Sequence, residues 1–146
     1  MANMIREMTT NEIDRVGDIW LNSNLEAHDF IDKNYWLNNL ETVKEQFRQA
    51  EIYVYELDDK ICGFAGLQND YLAGIFVQKD YRNHGIGHQL LDYLKQTHQK
   101  LTLDVYDKNE RARKFYKVNG FNLASSGIDE VNGEEEYQLI WQKEIK

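Results

Sequence analysis

Proline is absent from this chain, cysteine occurs once, and no apolar run comes near the length that crosses a bilayer. A lone thiol at Cys62 rules out an internal disulfide, and a reducing compartment fits it. Without a bilayer-length run no helical membrane span is expected. The opening stretch Met1-Ala2-Asn3-Met4-Ile5-Arg6 carries no apolar block of signal-peptide length and no cleavage pattern, so the expected location is cytoplasmic. The missing proline carries no functional argument. Positive charge is also scarce: 17 Lys and Arg stand against 25 Asp and Glu, a net charge of −8. Nucleic-acid binders show a basic stripe, and the longest basic cluster here is Arg111-Ala112-Arg113-Lys114, so neither nucleic acid nor a membrane is an expected partner. An acidic surface favours cationic partners such as amines, and the same composition also serves a solvated surface that keeps a protein soluble.

The 146 residues, without repeats, low-complexity tracts or linker-like shifts, read as one domain over 1–146. Met4 to Met8 reads as a short strand. Thr10-Asn11-Glu12-Ile13 offers an N-cap for a helix with Ile13, Val16, Trp20 and Leu21 at helical spacing. A second helix is expected from about Lys33 to Gln49, with Trp36, Leu37, Leu40, Val43 and Phe47 on one face. The period then changes to two, and Ile52–Leu57, Ile61–Leu67 and Leu72–Val77 read as successive strands separated by Asp58-Asp59-Lys60 and Gln68-Asn69-Asp70. Gly85 to Gln99 reads as a helix with Ile86, Leu90, Leu91 and Leu94 inward. Leu101, Leu103 and Val105 alternate as a strand. Asn109 and Asn119-Gly120 bracket a short helix as N-cap and left-handed end. Phe121–Ile128 and Glu135–Gln142 flank Asn132-Gly133, a hairpin signal. The order β-α-α-β-β-β-α-β-α-β-β describes an α/β (α+β) chain with a mixed, mostly antiparallel seven-stranded sheet and about four helices. An exposed final strand is positioned to pair chains, which leaves monomer and homodimer both open.

The chemically informative stretch runs from Ile75 to His88. A buried strand enters a loop with Gly85 and Gly87, and an amphipathic helix starts at once. This aims several unpaired backbone amides at one point and adds the positive end of a helix dipole. Glycine lets an anion approach the backbone without a Cβ in the way. A pyrophosphate is the natural guest, although a plain structural turn has the same pattern. A nucleotide-hydrolysing phosphate loop is excluded, since no Gly-Lys-Ser or Gly-Lys-Thr occurs. A dinucleotide fingerprint lacks its third glycine, because Leu90 occupies that position, and three antiparallel strands precede the loop.

Arg82-x-x-Gly85-x-Gly87 after Gly74-Ile75-Phe76-Val77 resembles the coenzyme A signature of the GCN5-related N-acetyltransferases (GNAT). Leu103-Asp104-Val105-Tyr106-Asp107-Lys108-Asn109-x-x-Ala112-x-x-Phe115-Tyr116-x-x-x-Gly120-Phe121 resembles the second motif of that family. The element order matches over the whole chain. Trp20, Ala27-His28-x-Phe30-Ile31 and Tyr35-Trp36 resemble bacterial members that acetylate lysine side chains. Two departures stand out: Lys79 replaces a frequent proline, and Asn83 a common glycine. The resemblance implies the GNAT fold and acetyl-coenzyme A as cosubstrate. It implies that the Ile75–Phe76–Val77 strand, through the backbone of Ile75 and Val77, pairs with the pantetheine arm. The backbone amides of Arg82, Asn83, His84, Gly85, Ile86, Gly87 and His88 would hold the pyrophosphate, with Asn109 and Tyr116 facing the thioester.

The implied chemistry is attack of an amine on a thioester carbonyl, stabilisation of the oxyanion and protonation of the leaving thiolate. The resemblance puts the Val77 amide at the carbonyl oxygen and the Tyr116 phenol, protonated at neutral pH, at the sulfur. The base stays open among His28, Glu26, Asp29, Asp70 and ordered water. His28, Trp36 and Tyr71 are expected to border the acceptor groove. His84 and His88 have ligand spacing but no third ligand, so no metal site is expected. The leading reading is an N-acetyltransferase for a primary amine, either a protein lysine or a small molecule such as an antibiotic amine. The rival is a non-catalytic acyl-coenzyme A sensor, which needs the phosphate cradle but no acid at the sulfur.

Overall fold

The computed structural model describes residues 3–144. The strands are β1 (Asn3–Glu7), β2 (Glu51–Leu57), β3 (Lys60–Gln68), β4 (Tyr71–Val77), β5 (Lys100–Tyr106), β6 (Asn122–Asp129) and β7 (Glu134–Gln142). The helices are α1 (Ile13–Ala27), α2 (Lys33–Phe47), α3 (Ile86–Thr97) and α4 (Glu110–Val118). One sheet runs β1-β2-β3-β4-β5-β7-β6. Its neighbours are antiparallel except β4 and β5. The mixed seven-stranded sheet with four helices is therefore as the residue pattern predicts.

Alternation along β2 explains the layers. Ile52 and Val54 join a core with α1 and α2, through Val16, Ile19, Trp36 and Phe47. Tyr55 faces the other way, into a core with Leu90, Leu91 and Leu94 of α3. β3 is covered on both faces and is buried from Ile61 to Leu67, so it shows no alternation. Each fully buried leucine contributes roughly 1.5–3 kcal/mol relative to exposure.

Several local expectations are corrected. The helical start is capped from Thr9 rather than Thr10. The Thr9 N–H donates to Glu12 Oε1 at 2.9 Å, and a 3₁₀ turn over Thr10–Glu12 precedes α1. Arg6 reaches across to Glu12 and Glu56 at 2.7 and 2.9 Å, and holds the Glu12 carboxyl down at about 2. The edge strands are β1 and β6, whereas the final strand β7 lies inside the sheet between β5 and β6. The β6–β7 turn spans residues 130–133 and closes with Gly133 at φ 70°, so Asn132-Gly133 is its last half and not a two-residue loop.

β4 carries the feature that opens the site. Gly66 pairs Gly74 and Leu67 pairs Leu72, so Ala73 is an extra residue that bends the strand. β4 and β5 share one bridge, Tyr71 with Thr102, and then diverge. Beyond it the β5-facing edge of Ile75–Val77 has no strand partner. Gly74 leaves room for the Phe76 ring, since a Cβ there would lie 2.5 Å from it unless the ring shifted.

Candidate active site

A cavity of about 480 Å³ occupies the gap where β4 and β5 part. One wall is α1, through Ser23, Asn24 and Ala27, and the opposite wall is α4, through Arg111, Ala112 and Phe115. Its floor is the unpaired end of β4, Ile75, Phe76 and Val77.

At the far end the chain leaves β4 through a 3₁₀ turn over Lys79–Tyr81, which forms with Lys79 and without a proline. Asn83 at φ 67° and Gly85 at φ 79° then reverse the backbone into α3. Asparagine tolerates the left-handed region, which explains how it stands in for glycine at 83. The Gln89 N–H bonds the Gly85 carbonyl at 3.0 Å, so the amides of Ile86, Gly87 and His88 precede the first intrahelical bond and have none of their own. Arg82, Asn83, Gly85, Ile86, Gly87 and His88 all line the cavity, whereas His84 does not. The cluster of unpartnered amides at a helix start fits a pyrophosphate, and the unpaired edge of β4 fits an amide-bearing arm.

The Arg82 side chain serves a different purpose from its backbone. Its Nε donates to the Val77 carbonyl at 3.1 Å, and its terminal nitrogen meets Glu26 of α1 at 3.1 Å. It braces the loop against the strand end and the α1 wall. Arg111 is the second cation on the wall, its pKa lowered by burial and then by Arg82. In the sequence it reads only as part of a short basic cluster, yet a cation lining the cavity suits an anionic ligand.

At the near end stands Tyr116. It is 6% exposed and packs edge-on between Phe115 and Phe121, at 5.1 and 5.2 Å. Burial pushes its phenol well above the ordinary value, with the Ile75 backbone amide opposing. The hydroxyl thus keeps its proton throughout the physiological range. Asn109 caps α4, accepting the Ala112 N–H on Oδ1 at 3.2 Å. Its Nδ2 meets His28 Nε2 at 3.1 Å.

Of the three residues expected at the acceptor groove, only His28 lines the cavity. Trp36 is 7% exposed and stacks behind His28 at 5.2 Å. Tyr71 lies off the wall at the start of β4, 40% exposed, and donates to Asp104 Oδ2 at 3.0 Å. Its hydroxyl is within electrostatic reach of Tyr116, and burial above all pushes its pKa upward. Burial depresses His28 to about 4, so it is a neutral ring with Nε2 engaged, a poor proton acceptor. Glu26 is committed to Arg82.

Carboxylates that sequence reading missed surround Tyr71. Asp104 of β5 and Glu136 of β7 stand on the sheet face with Tyr106, since Tyr106 pairs Glu136 and Asp104 is two residues earlier. The Glu136 carboxyl is raised by burial first, and then by Asp104 and Asp129. Among the described residues neither Asp104 nor Glu136 has a cation within ion-pair distance. Phe30, Tyr35 and Tyr106 stand beside this patch, and Tyr106 donates to Asp129 at 2.7 Å. The only sequence signal was an acidic residue at the outward position of the Leu101-x-Leu103-x-Val105 alternation. No metal-holding group of His, Cys, Asp or Glu occurs among the described residues.

Residues 48–123 match the family described as acetyltransferase (GNAT) domain. The chain is 36% identical over 122 residues to the peptidyl-lysine N-acetyltransferase YiaC of Escherichia coli K12, covering 82% of this chain and 84% of that protein. It is 28% identical to the peptidyl-lysine N-acetyltransferase YjaB of the same organism, over 90% of each. Apo YjaB from E. coli superimposes with a TM-score of 0.85 at 26% identity, covering 99% of this chain and 100% of that one. The PaiA N-acetyltransferase of Thermoplasma acidophilum in complex with coenzyme A shares the fold, with a TM-score of 0.81 at 17% identity over 97% and 99% of the chains.

Proposed function

The chain belongs to the GNAT family of acetyltransferases, and from that premise we propose that it acetylates the ε-amine of lysine residues in proteins. Acetyl-coenzyme A, the acetyl donor of this family, supplies an activated thioester. The observation that carries the acceptor is the uncompensated acidic and aromatic patch of Tyr71, Asp104 and Glu136 beside the Tyr116 end of the cavity. An alkylammonium is drawn to carboxylates and to aromatic faces alike. The similarity to peptidyl-lysine acetyltransferases supports a protein acceptor over a free amine.

Each residue then has a task. The amides of Ile86, Gly87 and His88 hold the pyrophosphate, with Arg111 adding charge. The edge of Ile75–Val77 would align the pantetheine arm, the Val77 amide would be the donor available to the thioester carbonyl, and Tyr116 would supply the proton for the leaving sulfur. Lysine is almost wholly protonated at neutral pH, so a proton must first leave it. The raised Glu136 carboxyl, together with Asp104, is the acceptor closest in character to that task, directly or through water. A phenol at the acetyl end of the cavity favours an enzyme over a sensor, since storage of an acyl thioester needs no acid.

The test is an acceptor screen with acetyl-coenzyme A, reading free thiol and product mass. Lysine-containing peptides and folded acidic or basic proteins are compared with small amines. Turnover of peptides at ε-amines supports the proposal. Turnover confined to small amines overturns the protein acceptor and keeps the acetyltransferase.

A further inference from the structure

We propose that His28 is a positioning residue, a neutral clasp that sets the spacing of α1 and α4 across the acetyl end of the cavity. This role rests on the acid function proposed above for Tyr116.

The hydrogen bonds fix the tautomer. Asn109 Oδ1 accepts the Ala112 N–H, so the amide group Nδ2 must face His28. Nδ2 can only donate, hence Nε2 of His28 accepts and its proton sits on Nδ1. Nδ1 is buried with no hydrogen-bond partner among the described residues. An unpaired buried donor is destabilising, and a fold retains one where the other ring nitrogen is needed. The ring itself is immobilised, stacked on Trp36 at 5.2 Å and edge-on to Phe30 and Tyr106 at 5.6 and 5.2 Å. The bond joins residues 81 apart, one just beyond α1 and one at the cap of α4.

The helix it holds needs holding. α4 has 9 residues, whereas isolated helices are marginal below roughly 12–15. Its two ends are pinned in matching ways. At the C-terminal end Asn119 Nδ2 donates to the Phe115 carbonyl at 2.8 Å, its Oδ1 meets His88 Nδ1 at 2.7 Å, and Lys95 reaches its carbonyl at 2.5 Å. That pin ties α4 to α3 at the phosphate end. The His28–Asn109 pin ties α4 to the α1 wall at the acetyl end. With it broken, the α4 wall that carries Ala112, Phe115 and Tyr116 pivots about Asn119, and the phosphate end stays in place.

The test pairs kinetics with a measurement that needs no turnover. His28→Phe keeps an aromatic ring and removes the acceptor, His28→Gln restores an acceptor, and Asn109→Ser keeps the cap but cannot reach His28. Thermal melting establishes that each variant folds. His28→Phe and Asn109→Ser should each lower kcat roughly tenfold, as expected for a small displacement of reacting groups, with the acetyl-coenzyme A KM within about twofold. The double variant should be no worse than either single, and His28→Gln should recover most of the rate. Unchanged kcat in His28→Phe, an effect confined to the acceptor KM, additive losses or failure of His28→Gln would each overturn the clasp. Imidazole ¹⁵N shifts of the wild-type protein should show the Nδ1–H tautomer with Nε2 accepting, and the opposite tautomer overturns it whatever the kinetics give. Full activity of Tyr116→Phe would instead sink the acid role alone and leave the ¹⁵N result standing.

Discussion

The two ends of the cavity are built on different principles. The end proposed to hold the pyrophosphate comes from one continuous stretch, β4 through the first turn of α3, and its donors are backbone amides aimed by two left-handed residues, Asn83 and Gly85. The acetyl end is assembled from side chains on separate elements: His28 beyond α1, Tyr71 on β4, Asp104 on β5, Asn109 and Tyr116 at α4, and Glu136 on β7. On the proposed function, backbone geometry recognises the pyrophosphate shared by coenzyme A thioesters, and scattered side chains decide what is done to the acyl group and which amine is admitted. Substitutions at the two ends should therefore separate into losses of cofactor affinity and losses of rate or acceptor affinity.

The largest separation is expected at Tyr116. Tyr116→Phe removes one hydroxyl from a ring held by Phe115 and Phe121, so acetyl-coenzyme A affinity by calorimetry should hardly move. The kcat should fall about 10²-fold, the lower end for a general acid, because thiolate leaves readily unaided. Because burial raises the phenol, no wild-type rate loss from its ionisation should appear until well above its ordinary value.

At the opposite end, Gly85→Val forces a β-branched residue into φ 79°. The strain of roughly 1–2 kcal/mol should lower acetyl-coenzyme A affinity about tenfold and lower the melting temperature. If kcat at saturation fell instead with affinity intact, the division between the ends would fail.

A pH titration reaches the acetyl end through stability alone. His28 is depressed from 6.5 to about 4 by burial, so the unfolded chain takes up a proton before the folded one does. Stability is whole above pH 6.5 and falls as the pH drops toward 4, by about 1.4 kcal/mol at pH 5.5. Glu12, held at about 2 by Arg6, adds its loss only below its ordinary value of 4.5. Urea unfolding of His28→Phe should lack the slope between pH 6.5 and 5.5. A wild-type protein with no such slope contradicts a buried neutral ring.

The smallest effects are expected at the carboxylates. Asp104→Asn and Glu136→Gln should each raise the KM of a lysine peptide about fivefold, roughly 1 kcal/mol, and the effect should shrink as salt rises. Unchanged acceptor KM in both would remove the acidic patch from recognition.

The contrast between the ends also explains what the sequence made legible. The phosphate end was readable because its parts are adjacent in the chain and glycine marks a backbone requirement directly. The helix caps Asn109 and Gly120 were readable for the same local reason. The acidic part of the acetyl end was not, because Asp104 and Glu136 are ordinary outward residues of strands until β4, β5 and β7 come together. Trp36 is expected at the groove for its place ahead of the cofactor-binding strands, yet it backs His28 from the core side. The helical period located α2 but could not say how far its buried face lies from the cavity. The strand order was illegible too, since no local signal places β7 between β5 and β6.

The most direct test of the central claim is single-vessel turnover of lysine peptides by the wild-type protein and Tyr116→Phe, with free thiol and peptide mass followed together. The account predicts acetylation at the lysine ε-amine in step with thiol release, and a rate about 10²-fold lower for Tyr116→Phe at equal acetyl-coenzyme A occupancy. Binding of acetyl-coenzyme A with no acetyl-lysine formed on any peptide would contradict it.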